Sequence, residues 1–206
     1  MKIIALIPAR AGSKRLPGKN TMALGGKPLV MWAVDAALEA KIFDQIVVST
    51  DCPAVASLTE PWAWSRPHNL ATDDTPMLDV VKYVERTVES DMIFLLQPTS
   101  PFRTAKDIQN VYSMMLESNG DAVVSVTDGP NDLVFQLGHA NRMRPREDIV
   151  VANGAIYAIT TKALLGGEDW YSGVSYAYRM PKDRSLDIDT QADFELAKAM
   201  LERQTA

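Results

Sequence analysis

Ile3-Ile4-Ala5-Leu6-Ile7, followed at once by Pro8-Ala9-Arg10-Ala11-Gly12-Ser13-Lys14-Arg15-Leu16-Pro17-Gly18-Lys19-Asn20, is the stretch on which the reading of the fold turns. The apolar run is rich in β-branched residues and too short for a helical period, which predicts a buried strand. The loop behind it gathers Arg10, Lys14, Arg15 and Lys19 in a chain whose formal net charge is -5. Local positive charge on an acidic background points to an anionic ligand at that place, not to a generally basic surface. Gly12 and Gly18 allow a tight turn and a close approach of backbone N–H groups, while Pro8 and Pro17 stiffen it. Together they describe a phosphate cradle. It is not a P-loop: five residues separate Gly12 from Gly18-Lys19, Asn20 stands where Ser or Thr is needed, and no GxGxxG occurs.

Outward from this loop, strand and helix patterns alternate. Pro28 opens a helix through Leu29, Trp32, Ala33, Ala36 and Ala37, and 45–50 (QIVVST) reads as a second strand ending at Asp51. Thr75-Pro76 predicts a helix start with Thr as cap, and Leu78, Val81 and Val84 or Val88 form its apolar face. A third strand over 92–96, a helix over 104–117 and a strand over 121–127 follow. Beyond them, 154–160 and 174–180 read as strands, and Thr190 caps a last helix with Phe194, Ala197 and Leu201 inward. Short strands alternating with longer helices predict an α/β, Rossmann-like doubly wound fold, its sheet mostly parallel with helices on both faces. Ligands of such sheets sit beyond the carboxyl ends of the strands, at a switch in strand order. The cationic loop, Asp51 and Gln97 all fall on that edge.

At 206 residues, 47% of them hydrophobic, the chain suits a single domain over 1–206. The irregular interval around 128–152 reads as an excursion, a lid or subunit contact. No apolar run approaches the roughly 18 residues of a membrane span, and no secretory signal is visible. Nothing calls for a membrane or a nucleic acid as partner. Cys52 is the only cysteine, which suggests a cytoplasmic setting. His68 and His139 are the only histidines and have no obvious partners, so a metal would be hard and oxygen-liganded, Mg²⁺ before Zn²⁺.

The run IPARAGSKRLPGKN, together with LLQPTSPFR at 95–103, NGAIY at 153–157 and SLDIDT at 185–190, resembles the acylneuraminate cytidylyltransferase (CMP-sialic acid synthetase) family. The four motifs occur in that family's order. The resemblance implies a nucleotidyltransferase-type domain that transfers CMP from CTP to the anomeric hydroxyl of a nonulosonic α-keto acid sugar, releasing pyrophosphate, in a homodimer. KDO or other keto-acid cytidylyltransferases are the alternative, as is a catalytically impaired nucleotide-binding relative serving as an interaction module. The chain is shorter than the family pattern between Cys52 and Arg66 and between Arg103 and Asn153, and has Val151-Ala152 where Arg-Pro is common. The sugar therefore stays open among sialic, legionaminic, pseudaminic and KDO-like acids.

In-line attack on an α-phosphate asks chiefly for positioning and for neutralised charge. Arg10 and Lys19 are the expected phosphate clamp, a guanidinium gripping two oxygens and an ammonium acting as a point charge; Lys14 and Arg15 are open alternatives. Asp187 and Asp189, two apart in LDIDT, share a face if the backbone is extended. Beside a triphosphate they would need a divalent cation between, which makes them the expected Mg²⁺ ligands, with Asp189 counted as catalytic alongside Arg10 and Lys19. Gln97 donates and accepts at once, as a polyhydroxylated sugar requires. The resemblance adds Ser13, Asn20 and Arg66 on the nucleotide and Asn153 and Tyr157 on the sugar. It also makes Arg146 the expected partner of the sugar carboxylate, with Arg142 and Arg144 near enough to replace it.

Overall fold

The computed structural model describes residues 1–129 and 149–205, with backbone strands at Phe135–Leu137 and Met143–Pro145 between them. The expected excursion at 128–152 falls largely outside the described residues. Arg142, Arg146 and His139 lie there, and Arg144 is described only as backbone.

The chain runs β1 (Ile3–Pro8), a small hairpin of β2 (Ala23–Leu24) and β3 (Lys27–Pro28), α1 (Leu29–Ala40), β4 (Gln45–Thr50), α2 (Pro53–Leu58) and β5 (Ala63–Ser65). It continues through α3 (Met77–Val88), β6 (Met92–Leu95), α4 (Ala105–Ser118), β7 (Ala122–Asp128), the paired β8 (Phe135–Leu137) and β9 (Met143–Pro145), and β10 (Val150–Thr160). The last elements are α5 (Thr161–Leu165), β11 (Ser175–Arg179) and α6 (Gln191–Thr205). Seven strands form one sheet in the order β11-β7-β10-β6-β1-β4-β5. Neighbours are parallel except at β10, which is antiparallel to both β6 and β7. The doubly wound, mostly parallel sheet is therefore observed.

β1 shows why the sheet is covered on both faces. Ile3, Ala5 and Ile7 point to one side, where they join Val30, Ala33 and Ala37 of α1 and Ile108, Val111 and Met115 of α4. Ile4 and Leu6 point to the other, against Val81, Val84 and Val88 of α3 and Leu164 of α5. A strand apolar at every position satisfies two faces at once, as buried parallel strands do.

A third cluster joins Leu16 of the cationic loop, Leu24, Leu29 and Phe102 to Ile188 and to Phe194 and Ala197 of α6. Thr190 and Asp193 close a reciprocal capping box at the start of α6, as Thr104 and Asp107 do for α4. Thr75 differs from expectation. Its hydroxyl faces Thr72 Oγ1 at 2.7 Å and Asn69 O at 3.3 Å, so α3 starts after Pro76 without a side-chain cap. Among the described residues no helix is long and apolar enough to cross a membrane.

Candidate active site

From β1 the chain goes out to β4 and β5 on one side, and β6 lies on the other, so strand order reverses between β1 and β6. A cleft of about 390 Å³ opens there. Arg10, Ser13, Lys14, Arg15, Lys19, Asn20, Arg66, Gln97 and Asp189 line it, and Asp73 does too. Position follows from topology: the carboxyl ends of the two diverging strands leave a crevice that no helix fills.

The loop is braced from below. Ala11 N donates to Asp51 Oδ1 at 2.8 Å, Thr50 Oγ1 donates to Ala9 O at 2.6 Å, and Asn20 Nδ2 donates to Arg10 O at 3.1 Å. Gly18 takes φ 70° where the chain turns into the 3-10 turn Lys19–Thr21, a conformation that favours glycine. Leu16, sunk in the third cluster, fixes the loop's middle. Ser13 lines the cleft beside these anchors, and Asn20 serves both the cleft and the loop's internal bracing.

The cations are held apart by carboxylates. Arg10 Nη2 and Lys14 Nζ each lie 2.6 Å from one oxygen of Asp73. Lys19 Nζ lies 2.9 Å from Asp189 Oδ1, and Arg15 Nη2 lies 2.6 Å from Asp189 Oδ2. Lys14 and Arg10 together hold the Asp73 carboxyl below its ordinary range. Arg66 is buried, donating from Nε to Ser49 Oγ at 3.1 Å and from Nη2 to Ser49 O at 2.7 Å. Burial pushes it down to about 10, with Asp51 opposing and Arg10 adding to the effect; it remains a cation at neutral pH.

Ile188 explains how the two aspartates reach the site. It is fully buried in the third cluster, and its N–H donates to Thr99 O at 2.7 Å. The segment around it has no regular secondary structure, and this anchor fixes its place at the cleft wall. Asp189 lines the cleft, and Asp187 sits behind it under Gly154, whose φ is +77°. Burial raises the Asp187 carboxyl above the ordinary range, against the pull of the Thr99 hydroxyl. Its Oδ1 is buried without a hydrogen-bond partner among the described residues. An unpartnered carboxyl oxygen near a second carboxylate, whose own oxygens meet Arg15 and Lys19, is a donor set that fits Mg²⁺. Among the described residues no group of three or more His, Cys, Asp or Glu is gathered for a metal; Mg²⁺ here would take its remaining ligands from phosphate and water.

The sugar-side residues divide. Gln97 lines the cleft, whereas Asn153 does not present its amide there. Asn153 Oδ1 accepts from Ser125 Oγ at 2.6 Å and from Ala155 N at 3.1 Å, and Nδ2 donates to Ser185 Oγ at 2.9 Å. It is the knot of the irregularity in β10, where register against β7 shifts between Ala152 and Tyr157, so its amide has a structural part as well as the sugar-side position expected of it. Tyr157 pairs in register with Leu95 and packs on Trp170, ring centres 5.5 Å apart. Burial raises its phenol.

Two participants were not foreseen. Asp73 had no signal of its own, being one of two adjacent aspartates in a polar run. Arg103 was read only as the end of a motif; it is buried, with Nη1 donating to Gln97 O at 3.2 Å and to Ala155 O at 2.7 Å. It thereby ties the end of β6 to the bulge of β10.

Comparison with known proteins agrees with this geometry. The family described as "Cytidylyltransferase" matches residues 4–205. The chain is 34% identical to a CMP-N,N'-diacetyllegionaminic acid synthase of Legionella pneumophila over 98% of its own length and 97% of that protein. It is 34% identical to an N-acylneuraminate cytidylyltransferase of Escherichia coli over 95% of its length but 51% of that protein, so it spans about half of that relative. Among solved structures, a CMP:2-keto-3-deoxy-manno-octonic acid synthetase complexed with CTP superposes with a TM-score of 0.80, covering 99% of this chain and 100% of that one at 19% identity, a likeness of fold. With the family matched across nearly its whole length, the chain belongs to the cytidylyltransferases.

Proposed function

We propose that the protein transfers CMP from CTP to the anomeric hydroxyl of a nonulosonic α-keto acid sugar and releases pyrophosphate. The observation that carries this reading is the convergence of Arg10, Lys14, Arg15, Lys19 and Arg66 on one cleft that Gln97 and Asp189 also line. Arg10 and Lys19 grip the phosphate chain, drawing charge from the α-phosphorus and from the departing pyrophosphate. Ser13 and Asn20 line the same floor, and Arg66 adds a cation whose orientation Ser49 fixes. Gln97 orients the sugar, with its backbone held by Arg103, so that the anomeric oxygen lies in line with the bond to be broken. That oxygen forms the new P–O bond as the bond to the bridging oxygen breaks, and its proton passes to water. Asp187 and Asp189 would hold Mg²⁺, which supplies charge neutralisation on the phosphates when bound.

A homodimer in the cytoplasm completes the reading. Tyr171, Val174 and Tyr176 are exposed at and before the edge strand β11, which supports a subunit contact there. Cys52 as sole cysteine supports the compartment. The functional test is pyrophosphate release with each of CTP, ATP, GTP and UTP against a panel of sialic, legionaminic, pseudaminic and KDO acids. Turnover with CTP far above the others, on at least one acid, is expected; equal turnover with all four nucleotides, or none with any acid, contradicts it.

A further inference from the structure

Five cations facing one cleft would repel one another, yet the four of the loop, Arg10, Lys14, Arg15 and Lys19, each have a carboxylate partner. The pairing is uneven in origin. Asp189 belongs to the segment anchored by Ile188, but Asp73 belongs to an exposed run, Thr72 to Asp74, between the 3-10 turn His68–Leu70 and α3. Both of its oxygens are used, one on Arg10 and one on Lys14, each at 2.6 Å. This is how a phosphate bridges two cations. The Arg10–Asp73 pair also borders two spaces: Arg10, Arg66, Asp73 and Met77 line both the main cleft and a second hollow of about 200 Å³ formed with Leu70, Thr72, Thr75 and Val80.

We propose that Asp73 is a resident stand-in for the nucleotide's phosphate chain, holding Arg10 and Lys14 in place in the empty cleft and yielding them to the triphosphate by exchange. The inference rests on the cleft being a triphosphate site. Binding then measures the difference between phosphate and Asp73 on the same two cations, so Asp73 limits affinity while keeping the loop ordered. It also sets selectivity. An anion reaching only Arg10 and Lys14 gains little by replacing a carboxylate, whereas a triphosphate extends to Lys19 and Arg15 as well. Departure of Asp73 opens the border between the two spaces.

The test is isothermal titration of the full chain with inorganic triphosphate and with CTP, on the wild type, Asp73→Asn, Asp73→Ser and Asp74→Asn. Asp74 is exposed and carries the same charge one residue away, so its substitution controls for the general field. Exchange predicts that both Asp73 variants bind triphosphate about three- to tenfold more tightly than Asp74→Asn, as expected for release of two partly exposed ion pairs. Equal or weaker binding in the Asp73 variants, with CTP still bound, overturns the exchange alone. Failure of every protein to bind CTP overturns the reading of the cleft and the exchange with it.

Discussion

Replacing Asp187 with Asn should make the metal-free protein more stable and the enzyme inactive. Asp187 Oδ1 is buried and unpartnered among the described residues, and burial raises its carboxyl. A buried polar group without a partner costs about 1–3 kcal/mol, and the isosteric amide removes the charge while keeping the shape. A gain of about 1 kcal/mol is a reasonable share, equivalent to about 2–4 °C in Tm for a chain of this size. The sign with pH follows from linkage. A carboxyl raised on folding contributes stability that is fully present below the unfolded value of about 4 and lost as pH rises through the folded value. The difference between Asp187→Asn and wild type should therefore be absent near pH 4 and grow towards neutrality. Scanning calorimetry in EDTA across that range measures it, with Mg²⁺-dependent pyrophosphate release measured in parallel. A lower Tm for the variant, or a difference independent of pH, would refute the assignment of Asp187 as an uncompensated charge held for a cation.

Other substitutions separate binding from framework. Lys19→Met removes a charge-assisted contact worth about 1.5–3 kcal/mol, so kcat/KM for CTP should fall by one to two decades, read from initial rates, with Tm little changed. Asn153→Ala should leave the sugar KM unchanged within about twofold while costing about 1–3 kcal/mol in urea unfolding, because it takes the acceptor from the buried Ser125 hydroxyl and the Ala155 N–H; a raised sugar KM at unchanged stability would assign Asn153 to the substrate. Ile188→Ala should cost about 2–5 kcal/mol by cavity formation and raise the Mg²⁺ concentration needed for half-maximal rate, since the peg that anchors the segment of both aspartates is gone. Light scattering at micromolar concentration should give a dimer, and a fully active monomer would remove the subunit contact from the account.

Much of the fold was legible because its signals are local. β1 carries its burial in five consecutive apolar residues, and Thr104/Asp107 and Thr190/Asp193 announce two helix starts at a spacing of three. The cationic loop could be placed on the right edge because strand ends and Gly18 mark it in the sequence. What was missed depends on partners far along the chain. Asn153 reads as a polar residue for a sugar, and its internal partners Ser125, from β7, and Ser185 leave no mark in the local sequence. Thr75 is a good cap by sequence, but Thr72 and Asn69 engage its hydroxyl. Asp73 matters only because the fold sets it opposite Arg10 and Lys14. Arg146, the expected carboxylate partner, lies outside the described residues.

The central claim, that this cleft joins CMP to an acid sugar, is tested most directly by ³¹P NMR of the products formed from CTP, Mg²⁺ and the acid that gives most pyrophosphate in the panel. The account predicts a new phosphodiester resonance appearing in step with one equivalent of pyrophosphate, and its loss in Lys19→Met. CTP consumed to CDP and orthophosphate, or to free CMP in the absence of any acid, would contradict it.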